Sequence, residues 1–443
     1  MTEQDRKAKG AGMTRRQTLA GAGMGLLAAS PLAAPRAARA AEPVHLTIWS
    51  WVPNMQDEAN LYEKANPGVT VSVINVGQGN PHYAKIENAL RAHKGGPDLA
   101  QIEFDKVLTF RELHALSDLS AYGVNAFKND YVPWAWQQVS DGDHVYAMPW
   151  DSGPIGQVYR KDIFDAHGLT PAATWDDFAE QALKLHKDAP DRLLTNATFT
   201  EGAWSNALLW QMGWRPFTVD GTTLGIDFSN DISRRFSAYW QKLLDAKAVD
   251  AKPGFVTEWY EAFDKGRYAI WIVGAWGPVF LQQFAKSSAG KWRAGAIPQW
   301  QANAKPVSAN WGGSTLGLLK QSPHQAEAAK LAIWLLHSRQ STLQFATEQY
   351  LFPTSLALLD NQKFLDTPYP FYGNQPVNQV FAASAHEVNP DFQWSPFQEY
   401  VQTQMATELG GAANGRGTLD QAFDRLQKRI VSYAKEQGFT VKT

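Results

Sequence analysis

Val44-His45-Leu46-Thr47-Ile48-Trp49 opens the stretch that decides the fold; Val69–Val76 and Asp98–Phe104 continue it. The first run is short, apolar and β-branched, as a strand requires. A polar turn at Pro53-Asn54 leads into helical spacing through Asp57–Ala65, which Asn66-Pro67-Gly68 stops. Val69–Val76, rich in β-branched residues, reads as a second strand. Asn80-Pro81 joins a cap to a proline at the first helical position and opens a helix to Lys94, closed by Gly95-Gly96. Asp98–Phe104 is the third strand. Strands alternating with helices predict an α/β fold with a mostly parallel sheet covered on both faces. Such sheets bind ligands beyond the carboxyl ends of their strands. The loops after Trp49, Val76 and Ile102 are therefore the expected rim of a site.

The same grammar returns further along. His144–Met148 and Ile155–Tyr159 are apolar runs flanking Pro149-Trp150-Asp151-Ser152-Gly153-Pro154. Thr174-Trp175-Asp176-Asp177 resembles a capping box and opens a helix through His186. Thr257–Lys265 reads as a short helix, and Tyr268–Val273 as a buried strand ending at Gly274-Ala275-Trp276-Gly277-Pro278. Val307–Leu319 passes through Trp311-Gly312-Gly313, and Ser322-Pro323 opens a helix to His337. Near the end, Thr418-x-x-Gln421 is a second capping box. After it Leu419, Ala422, Phe423, Leu426, Ile430 and Tyr433 share one helical face, a core stripe. One α/β layer, a second, and then renewed strand signals predict two lobes joined by more than one crossover, at Pro149–Pro154 and Ala309–Gly313.

Composition narrows the function. The chain has 443 residues and a formal charge of −2, which gives no electrostatic reason for a nucleic-acid or anionic-membrane partner. Its length suits two or three domains. The absence of cysteine excludes disulfides, thiolate metal sites, a cysteine nucleophile and a lipid-modified cysteine anchor. Eighteen tryptophans raise the prospect of a flat apolar ligand surface. Residues 1–40 read as an address label: a basic start, Arg15-Arg16 before a weakly apolar Ala/Gly/Leu run, and Ala38-Arg39-Ala40. That pattern predicts a twin-arginine-type signal peptide cleaved after Ala40. Its loss would leave a mature chain of charge −7, since residues 1–40 carry seven Lys/Arg and two Asp/Glu. The chain has no G-x-S-x-G, H-E-x-x-H, Walker A or EF-hand pattern, and its ten histidines lack metal-ligand spacing. No metal, cofactor or catalytic residue is expected.

The order of segments beyond the leader resembles the extracellular solute-binding proteins, family 1, of bacterial ABC importers, in their carbohydrate-binding group. The resemblance rests on Leu46-Thr47-Ile48-Trp49, Gly96-Pro97-Asp98-Leu99-Ala100-Gln101 and Met148–Ile155. It continues through Tyr159–Phe164, Thr174–Asp177, Phe263–Ala269, Gly274-Ala275-Trp276 and Trp311-Gly312-Gly313. Each piece is short; their collinearity carries the likeness. It implies a periplasmic-binding-protein fold, two α/β lobes on a multi-strand hinge with a ligand cleft between them. Residues 42–151 plus 312–353 would form the N-terminal lobe, and 152–311 plus 354–443 the C-terminal lobe. The implied function is capture of a mono- or oligosaccharide in the periplasm by hinge closure and delivery to inner-membrane permease subunits. The implied protein is a monomer and not an enzyme. Without a lipid-attachment cysteine it would diffuse freely.

Carried over by position, the resemblance makes Trp51 to Asn54 a ligand loop and places Glu103 and Asp105 at a polar contact position. Asp151 falls in the first crossover, and Trp311 and Gly312 in the second. Trp276 stands where relatives place a stacking aromatic, and Trp204 and Trp394 complete the expected ligand set. Trp175, Trp271 and Trp334 read as structural. These residue types suit a sugar: an indole face packs against the C–H face of a pyranose, and carboxylates accept from its hydroxyl rim. Two other readings remain open. One is a same-fold binding protein for another solute, such as a polyamine, a metal chelate or a sugar phosphate. The other is a secreted carbohydrate-active enzyme, which needs two carboxylates facing across one cleft.

Overall fold

The computed structural model describes residues 43–443. Arg15, Arg16 and Ala40 of the expected leader lie outside the described residues. Strand β1 (Val44–Trp49), helix α1 (Met55–Ala65), β2 (Val69–Ile74), α2 (Asn80–Ala92), β3 (Leu99–Glu103) and α3 (Phe104–Glu112) follow in the expected order. After β4 (Met148–Pro149) the chain builds a second sheet from β5 (Ile155–Arg160), β6 (Leu193–Thr195), β7 (Tyr268–Gly274) and β8 (Trp292–Ala296). It then returns to the first sheet as β9 (Ser314–Leu318). The sheet orders are β2-β1-β3-β9-β4 and β8-β5-β7-β6.

The sheets are mixed, which corrects the expectation of a mostly parallel arrangement. β1 runs parallel to β2 and β3, but β9 is antiparallel to both β3 and β4. In the second sheet β5 is antiparallel to β7 and β8, and only β6 and β7 run parallel. The crossovers explain this. β3 delivers its carboxyl end where the chain passes between sheets, so a strand entering from that passage heads the opposite way; Ser314 pairs with Glu103, and Leu318 with Leu99.

The passages are stitched together. Pro154 bridges Asn310 and Asp151 bridges Pro353. The Ser152 N–H donates to the Phe352 carbonyl at 2.8 Å, and the Gly153 N–H to Asn310 Oδ1 at 2.8 Å. Gly313 has a φ of 89°, and a Cβ there would meet the Asp151 carbonyl oxygen at 2.6 Å. Gly313→Ala must strain the passage, at a cost of about 1–3 kcal/mol; a lowered midpoint in denaturant unfolding checks this.

Both capping boxes form, Thr174 with Asp177 and Thr418 with Gln421. The stripe from Leu419 to Ile430 is buried, and Tyr433 is half-buried. Helices Gln398–Ala413 and Leu419–Glu436 pack beside Gly202–Gln211 and Asp231–Asp245, and the first of them also meets α3. Trp175 and Trp271 are buried and Trp334 packs on Tyr62, as structural residues should.

One buried carboxyl stands apart from the passages. Glu58 in α1 is fully enclosed. Its Oε1 accepts from Gln349 Nε2 at 2.9 Å, while Glu58 Oε2 and Gln349 Oε1 have no partner. Burial pushes its pKa up to about 7. The two orphan oxygens suit a protonated acid whose O–H donates to the amide. A carboxyl raised in the folded state stabilises fully below its unfolded value of 4.5, and that contribution is lost as pH rises through about 7. Glu58→Gln should therefore melt higher than the parent at about pH 8 and match it near pH 5. Melting curves across that range check the sign.

Candidate functional site

The side chains at and after the carboxyl end of β3 join residues of the second passage in a cavity of about 130 Å³. Glu103, Phe104, Asp105 and Lys106 supply one wall, from the end of β3 into α3. Asn310, Trp311, Gly312 and Gly313 supply the floor, and Ala203, Trp394, Glu399 and Gln402 the opposing wall. Tyr83 and Asn80 of α2 close one side.

Hydrogen bonds fix these groups. Tyr83 donates its hydroxyl to Glu103 Oε2 at 2.9 Å and accepts the Glu103 N–H at 3.1 Å. Gln402 Nε2 donates to Asp105 Oδ2 at 3.0 Å. Lys106 Nζ lies 3.2 Å from Asp105 Oδ2 and 2.5 Å from Glu399 Oε2. Its side chain is only 7% exposed, so it serves three carboxylates in a nearly dry setting. Burial works against its charge, but Asp105, Glu399 and Glu103 outweigh that and raise its pKa above the ordinary lysine value. For Glu103, burial and then the neighbouring Asp105 charge push the pKa up to about 7.

Five expected ligand residues meet on this cavity: Glu103, Asp105, Trp311, Gly312 and Trp394. The other five are placed differently. Trp276 stands behind the wall and donates Nε1–H to the Trp311 carbonyl at 2.7 Å, with the two rings edge to face at 4.9 Å. Asp151 is a fastener of the passage: its Oδ1 accepts the Ser314 N–H at 2.9 Å, and burial pushes its pKa up to about 6. Trp51 packs edge-on to His82 and Tyr83 and so supports a cavity residue from behind. Asn54 is exposed at the start of α1 with a φ of 60°. Trp204 is corrected outright. It is 1% exposed between Phe199 and Trp240, and its neighbour Ala203 reaches the cavity instead.

Sequence reasoning missed Tyr83, Lys106, Asn310, Glu399 and Gln402 as site residues. Two local signals were available. Lys106 directly follows Asp105, and Glu399 and Gln402 are three apart, on one helical face. A larger open groove of about 1510 Å³ runs beyond the other end of α3, past Arg111, Asp118 and His144, and shares Trp394 with the cavity. Two ion pairs line it, Arg111 with Asp141 and His144 with Asp118. Among the described residues no helix is long and apolar enough to cross a membrane, and no cluster of three metal-ligating side chains occurs.

With this geometry in place, the comparisons with known proteins are specific. Residues 49–340 match the family described as bacterial extracellular solute-binding protein. The lactose-binding protein of Rhizobium radiobacter is 25% identical over 429 residues, spanning 90% of this chain and 97% of that protein. The ABC transporter associated binding protein from B. animalis subsp. lactis, solved in complex with beta-1,6-galactobiose, is 30% identical with a TM-score of 0.77. The alignment spans 90% of this chain and 99% of that one. The galacto-N-biose-/lacto-N-biose I-binding protein of Bifidobacterium longum, 23% identical, matches the fold with a TM-score of 0.78 over 91% of this chain and all of that one. A family match across both passages and both sheets, on a chain whose polar and aromatic groups meet between them, leaves one assignment: this chain belongs to the bacterial extracellular solute-binding proteins.

Proposed function

We propose that the chain is the sugar-binding component of an ABC importer. It captures a mono- or oligosaccharide in the periplasm and hands it to permease subunits in the inner membrane. The observation that carries this reading is the convergence of Glu103, Asp105 and Lys106 with Trp311, Trp394, Glu399 and Gln402 on one small cavity. Carboxylates and an amide meet the hydroxyl rim of a pyranose, and indoles meet its C–H faces. The relatives named for lactose, or solved with galactobiose or lacto-N-biose, support the same ligand class.

In this reading residues 42–151 plus 312–353 move as one lobe and 152–311 plus 354–443 as the other. The ligand touches both lobes only when they are closed, so its differential affinity shifts the open–closed balance. Lys106 to Glu399 and Asp105 to Gln402 are bonds across that cleft, and sugar hydroxyls take them over on binding. The chain works as an exported, unanchored monomer with no cofactor, and it leaves the sugar chemically unchanged.

A thermal-shift panel of mono- and oligosaccharides tests this. One carbohydrate class should raise the melting temperature saturably, because a ligand that binds only the native state stabilises it. A panel in which no sugar shifts the melt while a polyamine, a metal chelate or a sugar phosphate does would overturn the ligand class. Sugar turnover by the purified protein would overturn the binding-protein reading.

A further inference from the structure

A string of buried hydrogen bonds adjoins the cavity without lining it. Gln101 stands at its centre, two residues before Glu103 on β3 and so on the same face of the strand. Its Nε2 donates to Ser314 Oγ at 2.9 Å. Its Oε1 accepts the Ser50 hydroxyl at 2.7 Å and the Trp51 N–H at 3.2 Å. Ser50 Oγ in turn accepts the Val52 N–H at 3.1 Å. Ser50, Gln101 and Ser314 are all buried, and none of the three reaches the cavity.

The two ends of the string lie in different parts of the molecule. Ser314 is fastened to the first passage: its N–H donates to Asp151 Oδ1 at 2.9 Å, and its carbonyl accepts the Trp150 N–H at 3.0 Å. At the other end, the loop after β1 carries Trp51, whose indole meets His82 at 4.9 Å and Tyr83 at 6.4 Å, both edge to face. His82 is fully enclosed and donates Nε2–H to the Gln101 carbonyl at 2.9 Å. Gln101 therefore holds both aromatic neighbours of Tyr83, Trp51 through its side chain and His82 through its backbone. Tyr83 lines the cavity and donates its hydroxyl to Glu103.

Buried hydrogen bonds tie groups together more tightly than apolar contact does. Apolar surfaces can slide, but a shift at either end of this string leaves a buried donor or acceptor unpaired, which is costly away from water. The amide of Gln101, gripped by Ser314 on one side and by Ser50 and Trp51 on the other, has one orientation that satisfies them all. We infer that Gln101 is a positioning residue: through Ser314 and Ser50 it ties the passage to the loop that seats Tyr83 and Glu103, so that closure of the lobes sets the polar wall of the cavity. This rests on the reading of sugar capture by hinge closure and deepens it. It also gives the Trp51 loop a role in binding, although Trp51 itself stays off the cavity.

A double-mutant cycle on the full chain separates transmission from simple support. Ser50→Ala and Ser314→Ala each cut one link, and isothermal titration calorimetry with lactose, maltose, cellobiose, galactose and glucose reads the affinity. Each single variant should weaken the best-bound sugar about tenfold, and the double variant should stay within about threefold of the weaker single, because a string cut once transmits nothing. Gln101→Met removes both links by another route and should match the double variant, so the cycle stands even if one of these proteins does not fold. Ser314→Thr, which keeps the hydroxyl, should bind within about twofold of the parent, with melting curves to show that each variant is folded. Losses that multiply, leaving the double variant or Gln101→Met near a hundredfold weaker, would mean two independent supports and would overturn the coupling. Single variants that bind as tightly as the parent would overturn it too. A parent that binds none of these sugars defeats the ligand class itself, a result distinct from both.

Discussion

Replacing Lys106 with methionine should abolish ligand binding and destabilise the chain by about 3 kcal/mol, near the lower end of the range for breaking a buried ion pair. Among the described residues Lys106 is the one cation lining the cavity, and it answers Asp105, Glu399 and the Glu103 carboxyl together. Methionine matches its length but leaves those acids facing one another in a setting that water reaches poorly. The cost stays near the low end because Glu399 is half open to solvent and can turn outward. Denaturant unfolding reads the stability change, and calorimetry with the sugar found in the panel reads the binding. Removing Glu399 alone should be far milder, since Asp105 still holds the lysine. A Lys106→Met protein as stable as its parent would mean that the charges around the cavity are solvated and the ion-pair network decorative.

The second large effect belongs to Trp311. Trp311→Ala should lower sugar affinity about a hundredfold, or roughly 3 kcal/mol, because the indole lines the cavity and packs edge to face on Trp276. Trp311→Phe keeps an aromatic face and should lose much less. Trp276→Ala should fall between them, at tenfold or more, since Trp276 acts by holding the Trp311 carbonyl. Titrations followed by calorimetry and by tryptophan emission separate the three, with melting curves to confirm that each variant is folded.

The sequence announced these placements unevenly, for physical reasons. Local signals were readable: β-branched runs bounded by Gly and Pro placed β1 to β3 within a residue or two, and both capping boxes formed with the predicted partners. The direction of β9 was not readable, because a strand's residues set its faces but not which neighbour it meets. Trp204 was misplaced for a related reason. Its helix, Gly202–Gln211, is buried all round, so no polar face reveals which side looks at the cavity. The pairing of Lys106 with Glu399 joins positions 293 residues apart, beyond any local pattern. Glu103 and Asp105 follow the carboxyl end of β3, where open sheets place their ligands, whereas Trp311 lies in the passage ahead of β9 and was expected there from the crossover and the resemblance.

Closure across the cleft is the claim on which the rest depends, and the cysteine-free sequence makes it directly measurable. Cysteines introduced at exposed Asn88 and Glu258, one beside each sheet, can carry spin labels without competing thiols. Pulsed dipolar spectroscopy should give a distance distribution that narrows and moves to shorter values when the sugar identified by thermal shift is added to saturation. The same distribution with and without that sugar, under conditions where calorimetry shows it bound, would contradict capture by hinge closure.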